Sequence, residues 1–89
     1  PGVYFDGDFG IRLENLVLCT EKSQTNFGTF LGFETLTLTP FDRDAMDPAQ
    51  MTPQEKALLN AYHARVHAAI APHLSPEEAA WLAQATRPI

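Results

Sequence analysis

Eighty-nine residues, 45% hydrophobic and 19% charged, describe one globular domain with a modest core rather than a disordered tail. A net charge of −5 without any Lys/Arg cluster excludes a nucleic-acid binder, because phosphate contacts need a basic face. No apolar run approaches the roughly 18 residues of a membrane span, no signal peptide opens the chain, and the lone cysteine, Cys19, points to a reducing, cytoplasmic compartment.

Residues 1–19 read as two short strands joined by a tight turn. Tyr4 and Phe5 lead into Asp6-Gly7-Asp8, and Asp-Gly between β-rich runs is a strong hairpin signal. On the second strand, residues 10–19, side chains alternate, so Arg12 and Glu14 share one face while Ile11, Leu13 and Val17 take the other. A guanidinium and a carboxylate so placed can form a working site. They can equally form a solvated ion pair, which is the commoner case. Cys19 ends this apolar run as a small hydrophobe. A start at Pro-Gly inside a hairpin, without Met, is expected of a cut through a larger protein.

Residues 20–26 have the polar composition of a surface loop. A further strand region follows from Phe27-Gly28 to Pro40, with Thr alternating against Leu36 and Leu38. Leu31 and Phe33 fall on the opposite parity. Either that half is buried on both faces, or a bulge near residues 32–34 switches parity. Glu34 reads as a strand charge or part of a local network. Residues 41–52 form an irregular connector in which Asp42, Arg43 and Asp44 are expected to be solvated.

Two helices come next. Thr52-Pro53-Gln54-Glu55 is a capping box with proline at the first helical position. Leu58, Leu59, Tyr62, Val66 and Ile70 then make an apolar stripe, and Pro72 ends the helix. Ser75-Pro76-Glu77-Glu78 repeats the device before a shorter helix carrying Ala80, Trp81, Leu82 and Ala85. Trp81 is expected in the core, with an interface as its alternative role. The elements add up to an α+β chain: a hairpin, a further long strand and two C-terminal helices. His63 and His67, four apart on one helix face, could grip a metal ion. However, Ala64 stands where an HExxH base would be, and His63 lies in the apolar stripe, so a hydrogen-bonded structural histidine is the preferred reading. His73 reads as a helix-end residue.

Pro1-Gly2, Tyr4, Asp6-Gly7 and Gly10-Ile11-Arg12-Leu13-Glu14-Asn15 resemble, in order, a segment of the cytosolic-type Xaa-Pro aminopeptidases (aminopeptidase P), which are pita-bread dinuclear metallopeptidases. Asn26-Phe27-Gly28, Phe33-Glu34, Leu36-Thr37-Leu38, Pro40 and Asn60-Ala61-Tyr62-His63 are similar to later parts of that family, although Thr25 stands where many relatives carry Tyr. The resemblance implies a fragment of a pita-bread catalytic domain, with residues 1–40 its end and residues 41–89 a connector and helical cap. It implies that Glu14 bridges two divalent metal ions, manganese being the expected metal, and that Arg12 orients a ligand carboxylate. The other ligands, one Glu immediately before Pro1 and two Asp and one His further upstream, would lie outside the chain.

By the same resemblance, the parent enzyme removes the N-terminal residue from peptides with proline in second position. The expected partners are those peptides, the rest of the catalytic domain and a second copy as a homodimer, with no nucleic acid and no membrane. With four of five ligands missing, the chain alone is expected to be inactive. The competing reading is a non-catalytic interaction or dimerisation domain. In it Arg12–Glu14 is an ordinary ion pair, and open strand edges drive self-association.

Overall fold

The computed structural model describes residues 2–89, so Pro1 of the Pro-Gly motif lies outside the described residues. The architecture is α+β, as expected, but with two strand pairs in place of one hairpin and a further long strand, followed by two helices. Contacts divide the chain into two compact units, one ending at Thr37 and the other spanning Leu38–Ile89.

In the first unit, β1 (Gly2–Tyr4) pairs antiparallel with β2 (Gly10–Arg12), with Val3 opposite Ile11. The Asp8 N–H donates to the Phe5 carbonyl at 3.0 Å, and the Phe5 N–H to the Phe9 carbonyl at 2.8 Å. Gly7 sits at the third position of this turn with φ 70°, where type II geometry needs a positive φ that glycine adopts without steric penalty. The Phe5 and Phe9 rings close the turn from outside, their centroids 4.9 Å apart.

The second strand is shorter than the pattern predicts. Pairing stops at Arg12, residues 13–16 carry no ladder, and β3 (Val17–Thr25) begins a second hairpin with β4 (Gly28–Thr35). Residues 20–25, expected in a loop, are therefore strand. Their polar composition reports solvent exposure on both faces. The ladder comes from β4, a partner that local composition does not reveal. The loop proper is Asn26-Phe27, with the Phe27 N–H donating to Thr25 Oγ1 at 3.1 Å.

β4 ends at Thr35, before the Thr/Leu alternation does. The Leu36 N–H still donates to the Leu16 carbonyl at 2.8 Å, but the Leu16 N–H turns to Thr37 Oγ1, so a hydroxyl ends the backbone ladder. The change of parity has the same origin, since Leu36 and Leu38 lie beyond the strand. A bulge does exist, but on the opposite strand: Glu21 faces Leu31 and Ser23 faces Phe30, leaving Lys22 as the extra residue. The Lys22 side chain lies against Gly32, where a Cβ would collide with its Cγ. Val17, Leu18, Phe30, Leu31 and Phe33 are all exposed on this ribbon.

In the second unit, α1 (Pro53–Ile70) and α2 (Pro76–Ala85) begin where the sequence places them, each with a complete reciprocal capping box. A short 3-10 turn, Ala71–His73, joins them and contains Pro72. Leu59, His63 and Val66 of α1 are buried with Leu82 of α2 and Thr86 beyond it. Two expected core residues are not there: Leu58 and Trp81 are each 64% exposed. Both neighbour a buried leucine in sequence, and a 100° turn per residue sends one of each pair outward.

The tail is pinned to α1 by Asn60, whose Oδ1 accepts from the Ile89 N–H at 2.8 Å. Residues Arg43–Ala45 form a 3-10 turn capped by Asp42 Oδ1, which accepts from the Asp44 N–H.

Candidate functional site

Arg12 closes β2 and Glu14 follows two residues later, outside the ladder rather than on the strand the pattern predicts. The two side chains do meet. Arg12 Nη2 donates to both carboxylate oxygens of Glu14, at 2.7 and 2.9 Å. They are 60% and 52% exposed, so the pair stands in solvent, where attraction alone contributes little. The hydrogen bond from Arg12, followed by its charge, holds the Glu14 carboxyl below its ordinary range and keeps it anionic at neutral pH.

An ionised carboxylate offers about four lone-pair sites. Arg12 takes one on each oxygen, which leaves one on each directed elsewhere. An exposed, anionic oxygen donor of this kind suits a hard divalent cation. Among the described residues, no group of three or more His, Cys, Asp and Glu side chains could hold a metal ion. Glu14 thus stands outside any such group among the described residues.

The histidine pair resolves differently. His63 is fully buried, and its Nε2 accepts the Phe41 N–H at 3.0 Å. That bond places the ring proton on Nδ1, which is buried with no partner among the described residues. Its Nε2 is thus occupied by backbone, as a structural histidine's would be, while His67 one turn on is only half-buried. Burial and then the nearby Arg43 charge lower the His63 pKa below its ordinary value.

Arg43 corrects a further expectation. It is not solvated: it is half-buried, its Nη2 donates to the Pro88 carbonyl at 3.0 Å, and its Nε and Nη1 are sealed from solvent without acceptors. Tyr62 of the stripe is also an anchor: its hydroxyl donates to the Thr39 carbonyl at 2.9 Å and accepts from the Thr39 N–H at 3.4 Å. Nothing in the periodicity marks these anchors. The adjacent polar-tipped pair Tyr62-His63 inside an apolar stripe was the available signal, since buried polar groups need partners.

Residues 29–89 match the family described as the C-terminal region of peptidase M24. The chain belongs to this family. Over its whole length it is 47% identical, across 94 residues, to the Arthroderma benhamiae protein named "Probable Xaa-Pro aminopeptidase P", covering 14% of that protein. It is 38% identical over 93 residues to the Xaa-Pro aminopeptidase 2 of Sus scrofa, again covering 14% of that protein.

Among solved structures, an X-prolyl aminopeptidase from Caenorhabditis elegans, described as a cytosolic enzyme with a di-nuclear active site, matches the entire chain with TM-score 0.82 and 36% identity. The chain covers 15% of that structure. This peptidase M24 segment thus spans about one-seventh of the length of the relatives it matches. The family resemblance read from the sequence is borne out, and so is the α+β class. No described helix is long and apolar enough to cross a membrane.

Proposed function

We propose that this peptidase M24 segment delivers Glu14 to a dinuclear metal centre in a cytoplasmic Xaa-Pro aminopeptidase acting on peptides with proline in second position. The observation that carries the reading is the state of Glu14. It is exposed, anionic and oriented, with one coordination site open on each oxygen. Two divalent ions, manganese in this reading, supply Lewis acidity at the scissile carbonyl when bound. Glu14 would offer one oxygen to each ion. Arg12 would limit rotation of the carboxylate and hold it ionised, as partners of metal ligands do. Residues 1–40 then form the end of the catalytic domain and residues 41–89 its connector and helical cap. The remaining ligands come from other parts of a longer polypeptide, and this chain alone has no aminopeptidase activity.

The test is Glu14→Ala in the longer enzyme, with bound metal measured per chain alongside turnover. The expected result is fewer than two ions per chain and collapsed turnover. Full metal content with near-normal turnover overturns the assignment.

The exposed apolar side chains of the β3–β4 ribbon favour a second reading, an interaction or homodimerisation module. Light scattering of the isolated chain over a concentration series distinguishes it: a molecular mass that stays monomeric at every concentration argues against self-association.

A further inference from the structure

The only contact made by the imidazole of His63 to backbone outside its own helix is the Phe41 N–H on Nε2, among the described hydrogen bonds. That contact exists only while Nε2 carries no proton. We propose that His63 is a proton-operated latch: neutral, it holds the backbone around Phe41 against α1, and protonated, it lets that backbone go. The inference is independent of the metal reading above.

Protonation would set two donors, the Phe41 N–H and a new Nε2–H, against each other at 3.0 Å. No side chain nearby can absorb the added charge. The connector presents Phe41, whose ring centroid lies 6.4 Å from the imidazole, and the Arg43 cation. Tyr62 presents its ring, with the centroid 5.9 Å from the imidazole. No carboxylate offsets Arg43 at His63: not Asp42 or Asp44 of the connector, nor Glu77 or Glu78 of α2, and His67 on the same helix adds nothing. A second positive charge would therefore sit buried beside the first, which is strongly unfavourable.

The rearrangement is local. Tyr62 still grips Thr39, and Arg43 still holds the Pro88 carbonyl. What moves is the backbone between those two anchors. It forms one wall of a cavity of about 370 Å³, with Phe41, Asp42 and Arg43 on one side and Trp81, Gln84 and Arg87 on the other. Release of Phe41 would open that wall. The direction in pH follows from the sign of the shift. His63 binds its proton more weakly in the fold than its ordinary value of 6.5. The latch is therefore fully closed above that value and opens as pH falls through the lower folded value.

The experiment is amide hydrogen exchange by NMR on the intact chain, corrected for intrinsic rates, with the His63 ring titration followed in the same samples. Between 6.5 and the lower folded pKa, protection of the Phe41 amide should fall about tenfold per pH unit and then level off, while the Val66 amide stays protected. In His63→Gln, whose amide oxygen can accept the same N–H without titrating, Phe41 protection should stay flat. Flat protection in the native chain overturns the latch. So does simultaneous loss of Phe41 and Val66 protection, which would be global unfolding. If His63→Gln does not fold, Arg43→Gln decides. Removing one cause of the lowered pKa should move the release midpoint to higher pH, and an unmoved or lower midpoint overturns the proposal.

Discussion

Leu58 and Leu59 are adjacent, chemically identical and equally suited to an apolar stripe, yet the fold treats them oppositely: 64% of Leu58 is exposed against 8% of Leu59. Truncating each to alanine isolates the energy of the core from the propensity of the helix, because leucine and alanine both favour helix. Leu59→Ala removes buried methyl groups and leaves a cavity in the core of this unit, which costs about 2–5 kcal/mol in comparable sites. Leu58→Ala removes side chain that is mostly in water, and such surface changes stay within about 0.5 kcal/mol.

The helical unit, Leu38–Ile89, is small. At about 0.05–0.15 kcal/mol per residue its stability is on the order of 3–8 kcal/mol. Leu59→Ala therefore consumes a large part of it. With a urea slope of about 1 kcal/mol per molar, the midpoint of the helical far-UV signal should drop by about 2 M or more, or the helix should be unfolded without denaturant. Leu58→Ala should leave the midpoint within about 0.5 M. Equal shifts for the two variants would refute this assignment of the core, and a larger shift for Leu58→Ala would invert it.

Two further outcomes can be checked. The Glu55 carboxyl accepts the Thr52 N–H at 2.8 Å and is held below its ordinary value by that bond first and by the Thr52 hydroxyl second. Its contribution to α1 is thus present above pH 4.5 and lost as pH falls through the lower folded value. Glu55→Gln keeps a cap but removes the charge, so acid titration of helicity should show the native chain losing stability relative to the variant only at acidic pH. A constant difference between them across pH 3–7 would count against an ionised cap. In the longer enzyme, Arg12→Ala should weaken metal affinity about 10–100-fold by freeing the Glu14 carboxylate to rotate, measured by calorimetry. Unchanged affinity would leave Arg12 as nothing more than a solvated ion pair.

Some of this molecule is written locally. Both capping boxes and the Asp-Gly turn could be read directly, because each depends on groups within four residues of one another. The Arg12–Glu14 contact was legible for the same reason, and so was the family, whose motif runs through residues 1–15 and recurs to residue 63.

What tertiary structure decided is every feature whose partner lies far along the chain. Residues 20–25 are strand because β4 pairs with them, not because of their own composition. Arg43 is withdrawn from solvent by a carbonyl 45 residues away. His63 is a backbone acceptor because Phe41, 22 residues upstream, brings an N–H to it. The choice between Leu58 and Leu59 belongs here too. A stripe of period 3.6 tolerates either residue inward, and only the packing of the whole unit selects which one is covered.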